Sequence, residues 1–140
     1  MIFMRIAIPV VALTLLVSCA TGYHGMGWSG GYWEQKGPGE LTKVGFAGNS
    51  YIRRQKVGTY LLYRCAEIAK RENKPYFALY ENLLAAVMDK RSSEKAVTTI
   101  TGKPTVYAYI LFFDSPGPGL LNASELLIRL EPEIKREEPK

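Results

Sequence analysis

Between residues 53 and 72 apolar side chains recur at Val57, Leu61, Cys65 and Ile68, with Leu62, Ala66 and Ala69 beside them. Steps of three and four residues put all seven on one side of an α-helix, so the stretch predicts a single amphipathic helix of about five turns. Arg53, Arg54, Lys56, Arg64, Lys70 and Arg71 fall mostly off that face. Asn73 ends the helix, because asparagine accepts the left-handed cap conformation and Pro75, after Lys74, cannot extend it. A helix with one apolar face has to bury that face against something else, and the flanking segments offer strands.

Leu41, Val44 and Phe46 lie in a short extended run that Gly48-Asn49 ends, since both residues tolerate positive φ. Tyr76 to Tyr80 make a second, aromatic-rich strand. Val106 to Phe113 make a third, whose continuous apolarity predicts a central or fully covered position. Residues 81–102 leave alternatives open: 83–88 suit either a hairpin extension or a helical turn, and 96–101 are β-branched enough for a further strand. Two prolines and two glycines make 114–119 a loop. Asn122-Ala123-Ser124-Glu125 then resembles a capped helix start, with the helix running through Leu130. The expected fold is α+β: a small, mainly antiparallel sheet of three to four strands covered by one long helix, plus a short C-terminal helix. One domain over residues 40–131 is expected, with a charged tail at 132–140.

The first nineteen residues carry an address. Arg5 precedes an apolar run over 6–17, and the run ends in Leu16-Val17-Ser18-Cys19. That run is much shorter than the roughly twenty residues a bilayer-spanning helix needs. A charge, a short apolar stretch and a small residue before the cut form the secretory pattern, and the order Leu-Val-Ser-Cys resembles the lipobox of bacterial lipoprotein signal peptides. The resemblance implies that residues 1–18 are removed and that Cys19 is acylated to become the first residue of the mature chain. Each buried methylene contributes about 0.8 kcal/mol, so two or more acyl chains hold a protein stably on a membrane. Ala20 is not the aspartate associated with inner-membrane retention. The expected location is therefore the outer membrane, periplasmic side, with the inner membrane as the alternative.

Residues 19–39 read as a lipidated tether rich in glycine, with Tyr23, Trp28, Tyr32 and Trp33 interleaved. Three readings stand open for those rings: they lie against the headgroups, they stack on sugars, or Tyr32 and Trp33 pack on the domain edge. With 18 basic and 13 acidic residues the chain carries +5, and removal of Arg5 with the leader leaves +4. Such an excess suits an anionic envelope surface and is too weak and scattered to argue for nucleic acid. Once Cys19 is acylated, Cys65 is a lone thiol, which suits either a reactive or intermolecular site or, on the apolar helix face, packing as a small hydrophobe. His24, the single histidine, lies in the tether. No metal-ligand set, cofactor motif or held catalytic base is readable, so no cofactor and no enzyme activity are expected.

The blocks Gly31-Tyr32, Phe46-Ala47-Gly48-Asn49, Tyr60-Leu61-Leu62-Tyr63-Arg64-Cys65-Ala66-Glu67, Tyr76-Phe77 and 126–134 resemble the shared pattern of the CC0125/CC1285-type family of small proteobacterial lipoproteins. The likeness covers most of the mature chain. It departs at Ile52, where the family often has threonine, and at Cys65, where it usually has alanine. Ile52 cannot supply the helix-capping oxygen, which passes the task to Asn49 or Ser50. The resemblance implies an envelope lipoprotein and brings no known reaction, ligand or catalytic residue.

One constellation has binding chemistry. Gly48-Asn49-Ser50 leads into Arg53, Arg54 and Lys56, and a turn feeding a helix N-terminus aims free backbone amides and the helix dipole at one place. Gly48, Asn49, Arg53, Arg54 and Lys56 are thus candidate anion contacts, for a lipid phosphate or an acidic wall polymer; a solvated basic surface is the plainer reading. Arg64 and Glu67, at i and i+3, suit a helix-surface pair, or Glu67 reaches a buried donor beside Asn49; either role is structural. The function expected is a membrane-anchored binding or structural module facing the periplasm. The alternatives are an assembly or stress-sensing accessory that binds an envelope protein, and a small envelope hydrolase.

Overall fold

The computed structural model describes residues 22–28, 30–48, 54–94 and 105–136. Five strands form one antiparallel sheet in the order β1-β2-β4-β3-β5. They are β1 (Gly31–Lys36), β2 (Thr42–Ala47), β3 (Tyr76–Tyr80), β4 (Thr105–Phe113) and β5 (Leu121–Asn122). The helices are α1 (Arg54–Arg71), α2 (Leu83–Val87) and α3 (Ala123–Lys135). Among the described residues no helix is long and apolar enough to cross a membrane.

Because side chains alternate along a strand, each strand splits its residues between two faces. Val44 and Phe46 of β2, Phe77 and Leu79 of β3, and Val106, Ala108 and Ile110 of β4 form the inner face under α1 and α3. Val57, Leu61, Cys65 and Ile68 are all at most 1 % exposed, so the expected apolar stripe of α1 is the stripe that meets the sheet. Each large apolar side chain so buried contributes about 1.5–3 kcal/mol. Cys65 is fully buried and free; burial pushes its thiol well above the ordinary range, against a smaller opposing effect of Arg64. It packs as a hydrophobe, as read from its place on the helix.

The α+β class, the long helix and the C-terminal helix agree with expectation, and β4 sits centrally between β2 and β3. Asn73 adopts φ 56° at the end of α1, and Asn122 Oδ1 accepts the Glu125 amide at 3.1 Å. Residues 83–87 take the helical alternative, with Asn82 as N-cap.

Three expectations are corrected. The sheet has five strands, not three to four. One extra strand, β1, comes from inside the stretch read as tether: its glycine and aromatic content looks like a linker, but Tyr32 packs against the core. The other, β5, has two residues, too few to show any alternation. Third, α3 does not stop at Leu130 but runs through Pro132 to Lys135, taking up part of the expected tail. Leu130 and Ile134, one turn apart, both pack on the core, and this non-local contact outweighs the proline penalty. Residues 1–18, Cys19, Ile52 and residues 96–101, left open as a further strand, lie outside the described residues.

Candidate functional site

Both sheet faces carry side chains with chemistry. On the inner side, at the β1 edge, Glu34 accepts a two-pronged bond from Arg71, with Nη1 to Oε1 at 2.6 Å and Nη2 to Oε2 at 2.8 Å. Arg64 Nη2 reaches Oε1 at 3.3 Å. The Arg71 bond is the main cause that holds the Glu34 carboxyl below its ordinary range, with partial burial opposing. Arg64 also stacks 4.1 Å above the Tyr32 ring, and its Nη1 lies 3.7 Å from Glu67 Oε1. The spacing of Arg64 and Glu67 therefore does make a pair. Yet Glu67 Oε1 is buried without a hydrogen bond, and burial raises its carboxyl above the ordinary range. Tyr23 sits against Tyr32, Tyr60 and Tyr63 at ring distances of 5.0, 5.5 and 5.3 Å. Gly31-Tyr32 and the Tyr60-to-Glu67 block, remote in sequence, thus meet in one fastening that ties β1 to α1.

The outer face differs. Cross-strand register aligns Gln35, Lys43, Tyr109 and Tyr80 in one row and Trp33, Gly45 and Tyr107 in the next. The Trp33 indole lies over Gly45 so closely that a β-carbon on that glycine would collide with it. Lys43, half-buried, points its ammonium at Tyr107 (4.6 Å), Trp33 (5.7 Å) and Tyr109 (5.7 Å). Among the described residues no carboxylate or hydrogen-bond acceptor reaches that ammonium. By contrast Arg64, Arg71, Lys74, Arg91, Arg129 and Lys135 all have acidic partners. A cation framed by ring faces, with no anion of its own, can receive a carboxylate or phosphate while the rings cover the apolar side of a sugar.

Beside this face α2 folds over β3. Ala85 and Ala86 pack against the cluster of Ala78, Tyr80 and Tyr109, while Leu83, Leu84, Val87 and Met88 remain exposed. Its end is pinned by Asp89, at φ 49°, which accepts from Tyr80 Oη at 2.5 Å and from Arg91 at 3.0 Å. A separate cleft of about 370 Å³ is lined by Tyr76, Glu94, Asn122, Glu125, Leu126 and Arg129 among others. Glu94 and Glu125 both line it, and Arg129 binds Glu94 at 2.6 Å. Among the described residues no three His, Cys, Asp or Glu side chains group to hold a metal.

The anion turn expected around residue 48 is only partly described. Gly48, half-buried, follows the end of β2 and Arg54 begins α1, whereas Asn49 and Arg53 lie outside the described residues. Lys56 donates to the carbonyl of Arg136, the C-cap of α3, at 3.0 Å, where a cation is favoured by the helix dipole. His24 is exposed, with Nδ1 2.6 Å from the Gly25 carbonyl oxygen.

Sequence reasoning missed Lys43, Tyr107 and Tyr109. The available signal was alternation: Tyr107 and Tyr109 interleaved with Val106, Ala108 and Ile110, and Lys43 and Gly45 interleaved with Val44 and Phe46. Reading β4 as one apolar run hid that its two faces differ, with Val106, Ala108 and Ile110 on one and Tyr107 and Tyr109 on the other. Comparison with family models, with curated proteins and with solved structures gives no match.

Proposed function

We propose that this protein is a lipid-anchored envelope module, held through Cys19 at the periplasmic side of the outer membrane, that binds an acidic cell-wall polymer on the face around Lys43. The observation that carries the binding reading is the half-buried Lys43 ammonium, framed by Trp33, Tyr107 and Tyr109 and lacking an anionic partner among the described residues. The leader sequence and the resemblance to small proteobacterial lipoproteins support the anchor. A chain carrying a net +4 after loss of the leader also suits an anionic surrounding.

Two measurements test it. Mass spectrometry of the mature N-terminus is expected to find acylated Cys19; an intact leader or an unmodified thiol overturns the anchor. Binding is read by titrating the mature protein with soluble wall-glycan fragments bearing free carboxylates, and with the same fragments amidated. One charge-assisted contact is worth about 1.5 kcal/mol or more, so Lys43→Met is expected to weaken binding about tenfold. Equal binding by the variant, or no preference for free carboxylates, removes the site.

A protein partner is the second reading, favoured by the exposed Leu83, Leu84, Val87 and Met88 of α2, a patch larger than scattered surface apolar residues. In that case Leu84→Ser with Val87→Ser abolishes co-purification of an envelope protein and leaves glycan binding unchanged.

A further inference from the structure

We infer that the turn carrying Met26 and Trp28 is a second membrane contact, a wedge seated in the bilayer interface beside Cys19; the inference rests on the anchor proposed above. The turn is a fixed part of the domain. Tyr32 N–H donates to the His24 carbonyl at 2.8 Å and Met26 N–H donates to the Tyr32 carbonyl at 3.0 Å. Gly27 and Gly30 exchange two backbone bonds of 2.9 and 3.1 Å. Gly31, at φ +133°, lets the backbone of His24 and Gly25 approach where a β-carbon would collide, and Tyr23 is locked among Tyr32, Tyr60 and Tyr63.

From this fixed turn two apolar side chains project. Trp28 is 106 % and Met26 53 % exposed, an unusual position for side chains of their size in water. The length of chain before the turn says what covers them. Only three residue steps separate Cys19 from Gly22, a span of roughly 11 Å when fully extended. That is about the depth to which interfacial segments sit in a membrane surface. A domain tied this closely cannot stand off from the bilayer, and tryptophan is the side chain most suited to the headgroup level, with an apolar ring and one N–H donor. The apolar surface within reach of Trp28 is therefore the membrane itself, and the lipid on Cys19 and the indole act as two points of attachment that set the domain's orientation.

Fluorescence quenching tests this with the acylated mature protein in phosphatidylethanolamine and phosphatidylglycerol vesicles whose acyl chains carry bromine near the headgroup. The chain has two tryptophans, so Trp33→Phe leaves Trp28 as the reporter; its emission is expected to shift to the blue and to lose most of its intensity relative to unbrominated vesicles. The difference between the natural protein and Trp28→Phe gives the same reading without disturbing Trp33, whose own quenching is expected to be weak. Unquenched Trp28 on protein shown by mass to be acylated overturns the wedge and leaves the anchor standing, as it would if a second copy or wall polymer covered the ring. Equal quenching of both indoles also overturns it. An unmodified Cys19 overturns the anchor and the wedge together.

Discussion

Glu67 and Gly45 show how much single positions decide here. Glu67 is held with one oxygen buried and unbonded, and its carboxyl is raised by burial. The folded chain therefore keeps a proton that the unfolded chain has already lost, and stability falls as pH rises from the ordinary carboxylate range to the raised folded value. Glu67→Gln keeps the shape and removes the charge. It is expected to raise stability in urea at neutral pH by about 1 kcal/mol or less, since the group is partly exposed, and to change nothing near about pH 4, where the carboxyl is largely protonated in both states. A loss at neutral pH would mean that the Arg64 pairing outweighs burial. Gly45→Ala puts a methyl group where the Trp33 indole lies, at an expected cost of about 1–3 kcal/mol; a red-shifted tryptophan emission would mark the displaced ring. The spacing of Arg64 and Glu67 is legible in sequence because it is local. That Arg64 stacks on Tyr32, or that Gly45 exists to seat an indole, is not, because both depend on register between distant strands.

At the scale of elements, α3 sets local preference against packing most openly. Asn122 caps its start, so Asn122→Ala is expected to lower stability by about 1 kcal/mol. Pro132 lies inside it, lacking the N–H that would bond the preceding turn. The helix continues because Leu130 and Ile134 share a core-facing side, and Lys56 bonds the carbonyl of its C-cap, Arg136. Pro132→Ala is then expected to gain about 1–3 kcal/mol, read as a raised denaturation midpoint with unchanged slope; no gain would show the missing bond to be already compensated. The same contrast explains what the chain discloses. The period of α1, the apolar run of β4 and the asparagines at 73 and 122 are short-range signals and are legible. The strand β1 and the last turn of α3 contradict their own composition and form through contacts many residues away. The Lys43 site belongs to this second class, since it needs three strands in register before its residues meet.

For the whole molecule, the two faces of the sheet are coupled through β1. This edge strand is joined to the rest by β2 on one side and by the Glu34 bonds to Arg71 and Arg64 beneath, and the residue before Glu34, Trp33, frames Lys43 above. Glu34 has the opposite sign to Glu67. Its folded carboxyl is lowered, chiefly by the Arg71 hydrogen bond, so its contribution is complete above the ordinary carboxylate value and is lost as pH falls through the lower folded value. That contribution is about 1 kcal/mol once solvent screening is allowed for, enough to govern opening of an edge strand but not of the core. Acidification is thus expected to speed hydrogen exchange at Trp33 and Gln35, after correction for intrinsic rates, before it speeds exchange at Val106 to Ile110. Glu34→Gln is expected to show the fast edge exchange already at neutral pH and to lose the acid response there. Because Trp33 moves with β1, the same variant should bind acidic glycan more weakly although Glu34 lies on the opposite face; unchanged binding with a loosened edge would show that Tyr107 and Tyr109 alone suffice to hold Lys43.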